Sequence, residues 1–144
     1  MKSFIKGLST IAPLLYMVII WVMSSMPDNA VIELPERSID RFFKESLHLI
    51  EFAILYILII NAFLVNGRLT KGAHLTAALI ACFYGFVDEI HQAFVPSRSA
   101  TAIDAVKDVI GVLVCYYIVQ ASYFTHPRRR VGQWMEHFAT WIRP

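Results

Sequence analysis

A chain of 144 residues that is 57% hydrophobic and only 17% charged, with mean hydropathy +0.55, carries too little polar surface for a soluble domain of this size. Its net charge of +2 is scattered over short loops and the tail, without the aromatic interleaving of a nucleic-acid groove, so nucleic acid is excluded as a partner. Both cysteines, Cys82 and Cys115, fall inside apolar runs at no metal or thiol-exchange spacing and read as core packing.

The apolar residues come in four blocks, which predicts an all-α polytopic membrane protein with four transmembrane helices. The first block, about Leu8 to Met26, follows Lys2 and Lys6 as a leader sequence would. No small-x-small cleavage site precedes Pro27, and the length approaches the ~20 residues that cross a bilayer, so an uncleaved signal anchor is expected. Pro13 permits a kink in its first half, and Pro27 ends it. Residues 27–44 mix Asp28, Glu33, Glu36 and Asp40 with Arg37, Arg41, Lys44 and Pro35, and read as a solvated loop leading into an interfacial helix.

The second block, Leu47 to Val65, sets Lys44, His48 and Glu51 on one helical face and stops at Asn66-Gly67. The third is apolar only over Ala73 to Val87 and the fourth only over Val109 to Phe124. At ~1.5 Å per residue both are too short to span unless the third includes Asp88 to Gln92 and the fourth begins near Ile103. Length alone therefore draws charged helix ends toward the bilayer.

From Pro127 the chain becomes basic and then amphipathic. Arg128, Arg129 and Arg130 precede Val131, Trp134, Met135, Phe138, Trp141 and Ile142 at helical spacing. This predicts an interfacial helix on anionic headgroups, and a division into a transmembrane domain (1–126) and a cytoplasmic amphipathic tail (127–144). Eight basic residues lie at the N-terminus, the second loop and the tail (Lys2, Lys6, Arg68, Lys71, Arg128, Arg129, Arg130, Arg143), against four in the first and third loops (Arg37, Arg41, Lys44, Arg98). The positive-inside rule then sets both termini in the cytoplasm, in a multi-pass protein of the plasma membrane.

That topology sends the charged ends of the second, third and fourth helices outward together. Ionisable groups at membrane depth cost roughly 2.5–3.5 kcal/mol each on insertion scales, so they face one another, a cavity or a substrate. Glu51, Asp88, Glu89, Asp104 and Asp108 against Lys44, Arg98 and Lys107 leave this end two charges negative with His48 neutral. A divalent cation, a cationic substrate group or a shared proton would balance it. The candidate acid, base or ligand residues are His48, Glu51, Asp88, Glu89 and Asp104; the candidate substrate-binding residues are Lys44, Gln92, Arg98 and Asp108. No H-x-x-x-H or H-E-x-x-H spacing supports a metal, and His91, Ser97, Ser99 and Thr101 carry no signal that separates chemistry from capping.

The elements Lys44-x-x-x-His48-x-x-Glu51-Phe52, Asp88-Glu89-x-x-Gln92-x-Phe94-Val95-Pro96-x-Arg98 and Asp104-x-x-x-Asp108-x-x-Gly111 resemble the motifs of the VanZ-like membrane proteins, as does Ser24-Ser25-x-Pro27. The resemblance covers roughly residues 14–115; Ser97 stands where glycine is usual, and Asp108 where many relatives have asparagine. It implies a bacterial cell-envelope role, the family's namesake being linked to low-level teicoplanin resistance, and supplies no reaction. Three readings follow. An outward acidic pocket binds or modifies an envelope component, either a lipid or a peptidoglycan precursor. A small intramembrane hydrolase or transferase acts on a lipid headgroup, with a divalent ion as Lewis acid. A scaffold uses the charges only to hold helices together.

Overall fold

The computed structural model describes residues 1–26, 37–96, 101–126 and 130–143; the side chains of residues 37–45 and of His48 lie outside the described residues. Its elements are α1 (Lys2–Ser24), α2 (Arg37–Val65), α3 (Lys71–Gln92), α4 (Ala102–Val119) running on into a π-helical segment (Gln120–Thr125), and α5 (Arg130–Ile142). There is no strand among the described residues. The all-helical class is as expected from the blocks.

Helix boundaries follow local chemistry. α3 continues unbroken through Asp88 to Gln92 and α4 starts at Ala102, as the length shortfall requires. Pro13 lies within an α1 that stays continuous from Lys2 to Ser24. α2 is longer than the hydropathy suggests: the interfacial helix and the second apolar block form one helix of 29 residues. It ends as the Asn66-Gly67 pair predicts, with Gly67 at φ 69°. There the Gly67 N–H donates to Leu64 O (3.0 Å) and the Arg68 N–H to Phe63 O (2.9 Å), which satisfies carbonyls the helix end would otherwise leave open.

Two helices, α1 and α3, are long and apolar enough to cross a membrane, and the Leu49–Val65 part of α2 is a shorter apolar stretch. Leu14, Val18, Leu79, Phe83, Ile90 and Ile118 stand exposed on α1, α3 and α4, an arrangement suited to lipid rather than water.

The helices run alternately up and down, and contacts fix both ends. At one end Asn66 donates to Thr10 Oγ1 (2.8 Å) and Lys2 Nζ lies 5.9 Å from the Trp141 ring centroid. At the other, Tyr84 Oη donates to the Met17 carbonyl (2.7 Å) and His91 stacks on Trp21 with centroids 3.9 Å apart. α2 is central, packing against α1, α3, α4 and α5, and supplies Phe52, Leu55, Tyr56, Ile59, Ile60 and Leu64 to the core.

The tail helix divides its apolar residues. Met135, Ala139 and Ile142 are buried with the core, while Val131, Trp134 and Trp141 remain exposed. α5 therefore docks on the bundle and keeps a second apolar edge outward. Arg143 clamps it by donating to the Leu64 carbonyl at the end of α2. Between α2, α4 and α5 remains an apolar cavity of about 380 Å³, reached by Leu58, Cys115, Ile118, Trp134 and Phe138.

α2 and α4 approach closely at Gly111. A Cβ built on Gly111 would overlap the main-chain oxygen of Leu49, a backbone atom that cannot rotate aside. Gly111→Ala is therefore expected to lower stability by at least ~1–3 kcal/mol, the usual cost of overpacking. Thermal unfolding of the detergent-solubilised protein measures this, with Gly7→Ala as control because nothing lies within 4 Å of a Cβ there.

Candidate functional site

One face of α3 carries Ala77, Ala81, Gly85, Asp88 and Gln92 at spacings of four and three, and all five are buried. Small residues over its first three turns let α3 come close to its neighbours, as in membrane helix pairs generally. The same face, carried further, delivers a carboxylate and an amide into the interior. Facing it, α4 buries Ala105, Asp108 and Gly111.

Gly85 is where the two helices touch the site. A Cβ there would sit 3.3 Å from Asp108 Cβ, 3.4 Å from its Oδ2 and 3.6 Å from Phe52 Cδ1. The absence of a side chain at Gly85 thus makes room for the carboxylate of Asp108, with Phe52 closing the third side. Asp88 and Asp108 are each 1% exposed and Gln92 3%.

Within this interior, Gln92 Nε2 donates to Asp88 Oδ2 at 2.6 Å, one helical turn along α3. The other oxygen, Asp88 Oδ1, is buried and takes no hydrogen bond among the described residues. A buried acceptor left unmatched costs about 1–3 kcal/mol, and none of the described residues supplies a donor to this atom. Glu89, Asp88, Glu51 and Asp104 all lie close enough to Asp108 to act on it coulombically. Glu51 reaches the group from α2 and is half-buried. Three helices thus direct carboxylates to one end of the bundle, the end opposite both termini.

The rim has a different character. Thr101 caps α4: its Oγ1 accepts from the Asp104 N–H (3.3 Å) and donates to Asp104 Oδ2 (2.6 Å). Thr101 is thus a side-chain N-cap that also holds the Asp104 carboxylate, and Lys107 adds an ion pair to Asp104 at 3.0 Å. The hydroxyl of Thr101 is accounted for as an N-cap, and Asp104 holds the helix start, which aims Asp108 inward one turn later. Beside Glu89 opens a shallow recess of about 220 Å³, walled by Ile90 and Ala93 of α3 and by Thr101, Ala102 and Ala105 of α4.

Of the residues singled out in the sequence, Asp88, Gln92 and Asp108 come together in the interior, with Glu89 and Glu51 beside them and Asp104 at the rim. The side chains of Lys44 and His48, and Arg98 with Ser97 and Ser99, lie outside the described residues. His91 is held by its stack on Trp21. Sequence reasoning passed over Gly85 and Trp21, and quoted Phe52 only as the end of a motif. The small residues Ala77, Ala81 and Gly85, four apart, were the visible signal for the first; nothing in the pattern singled out Trp21.

Among the described residues, no group of three or more His, Cys, Asp or Glu side chains is arranged to hold a metal ion. The carboxylates are spread from rim to interior rather than converging on a point. The described donors therefore do not fit the divalent cation considered from the sequence, and no step is derived through one.

No curated protein and no solved structure matches the chain. The family model VanZ/LLP1 matches residues 9–123, which takes in α1 from residue 9 onward, all of α2 to α4 and most of the π-helical segment, together with every residue of the acidic interior. The apolar helices and this match agree on association with a membrane, and the chain belongs to the VanZ/LLP1 family.

Proposed function

We propose that the chain is a four-span protein of the bacterial plasma membrane, with both termini cytoplasmic, whose outward acidic recess binds a cell-envelope component. The component is a lipid or peptidoglycan precursor that presents hydrogen-bond donors, ammonium or hydroxyl, to the recess. Occupation of that component would lower susceptibility to lipoglycopeptides such as teicoplanin. The observation that carries the reading is the buried Asp88 Oδ1, an acceptor without a donor among the described residues, on a carboxylate that Gln92 holds in one orientation.

Roles follow from position. Asp88 accepts from the ligand through Oδ1, while Gln92 fixes its other oxygen. Glu51 adds negative potential from α2, which raises the local concentration of a cationic group, and Asp108 adds a further carboxyl from α4 beside it. Glu89, beside the recess between α3 and α4, meets the ligand on its way in. Lys44 and Arg98 are assigned to an anionic phosphate or carboxylate of the same ligand, Arg98 because its planar fork matches such groups. His48 shares or transfers a proton if the ligand is turned over. Binding alone uses every residue named, and turnover as an intramembrane hydrolase or transferase is the alternative.

The Thr101 cap supports a structural role for its hydroxyl at the rim. This separates two sets of variants. Asp88→Asn, Glu51→Gln and Arg98→Ala are each expected to abolish protection against teicoplanin in cells while leaving the amount of protein in the membrane unchanged. Thr101→Ala is expected to cost about 1 kcal/mol of stability, as caps do, and to leave protection intact. Parental protection in all three site variants would show that the charges serve only to hold helices.

Gly85→Ala probes the same recess without touching a charge. Its methyl group would press on Asp108 at 3.3–3.4 Å, so protection should fall with little loss of stability. Undiminished protection in a folded Gly85→Ala protein would mean that the position of Asp108 is irrelevant to function.

A further inference from the structure

At the end of the bundle that holds the termini, away from the carboxylates, α1, α2 and α3 leave a cleft of about 580 Å³. Its walls are of two kinds. The body is apolar, formed by Pro13, Leu14 and Met17 of α1, Ile59 and Phe63 of α2, and Ile80 of α3. The mouth is polar and basic, formed by Lys6, Thr10, Asn66 and Arg68.

This mouth is built rather than frayed. Thr10 Oγ1 donates to the Lys6 carbonyl (2.8 Å) and accepts from Asn66 Nδ2 (2.8 Å), and the same amide donates to the Ala62 carbonyl (2.9 Å). Two helix ends are thereby tied together, with a lysine on one side and an arginine on the other. Among the described residues, no carboxylate lines the cleft. Among the described residues neither Lys6 nor Arg68 is in an ion pair. The site thus has positive charge and no internal counterion at its mouth, above a slot with no polar side chain in its body.

Such a combination selects an amphiphile. The paired cations suit a phosphate, which the guanidinium can grip through two donors, and the slot suits a hydrocarbon chain. The volume falls in the range of small-ligand pockets. Basic pockets between membrane helices are known means of holding anionic headgroups. We infer that the cleft binds one anionic phospholipid of the adjoining leaflet. Its phosphate sits at Lys6 and Arg68, and one acyl chain lies along Leu14, Met17, Phe63 and Ile80. The inference needs only that this end lies at headgroup depth. It is independent of what the acidic recess binds.

The test titrates the full-length, delipidated protein in neutral detergent with phosphatidylglycerol, phosphatidylcholine and glycerol phosphate, and counts bound molecules by native mass spectrometry. Phosphatidylglycerol should bind about tenfold more tightly than phosphatidylcholine, the scale expected of two basic side chains near an anionic headgroup. Glycerol phosphate, which lacks the chain, should not displace it. K6Q/R68Q should abolish the preference while keeping phosphatidylcholine binding, and Ile80→Trp, which fills the slot, should reduce both lipids. K71Q, a lysine outside the lining, should retain the preference. Equal affinity for the two lipids in the parent protein would overturn the inference whatever the variants do. So would displacement by glycerol phosphate, which would indicate a soluble anion, or an equal loss in K71Q, which would indicate general surface charge.

Discussion

The arrangement rests on a contact that a single methyl group would prevent. Gly111 on α4 meets the main-chain carbonyl of Leu49 on α2 with no room for a Cβ between them. That carbonyl belongs to the turn before Phe52, so the contact sets the height at which α2 presents Glu51 and Phe52 to the other helices. One turn before Gly111, Asp108 is fixed at the same level, and Gly85 on α3 gives it space. Two glycines on two helices therefore decide that carboxylates from separate parts of the sequence share one interior.

A bundle held in this way gains little from the hydrophobic effect if its surroundings are lipid, because lipid tails are as apolar as its core. Close backbone approach and interhelical hydrogen bonds must supply more of the specificity. The run Ala77, Ala81, Gly85 provides the first on α3. The second is visible at both ends: Tyr84 to the Met17 carbonyl on one side of the molecule, and Asn66 to Thr10 on the other. Burying a carboxylate carries a desolvation cost, and Asp88 and Asp108 are nonetheless held at 1% exposure, with Gln92 donating to Asp88.

Much of this could be read from the residues. Apolar blocks gave four helices, and the shortness of the third and fourth correctly drew Asp88 to Gln92 and the start of α4 into helical structure, because span length is a hard geometric requirement. The Asn66-Gly67 stop was legible for the same reason, being a local backbone rule. What was not legible depended on partners far along the chain. Hydropathy cannot see that α2 begins at Arg37, since a helix of mixed polarity has no apolar signal at its start. Nor can helical spacing alone tell that the tail's apolar residues divide between docking and exposure, because both edges of α5 are apolar. Asp104, read from the sequence as a member of the acidic cluster, also bonds to its own helix cap and to Lys107, a local arrangement that the order Thr101-x-x-Asp104 already contained.

The central claim is that Asp88 and Asp108 occupy one shared, buried recess, and a double-mutant cycle in thermal or denaturant unfolding tests it most directly. Asp88→Asn, Asp108→Asn and the double variant keep shape while removing charge, so the cycle isolates the interaction between the two sites. Groups sharing a recess should show a coupling energy of about 0.5–3 kcal/mol. Effects that add to within ~0.3–0.5 kcal/mol, the behaviour of distant and independent positions, would contradict the account.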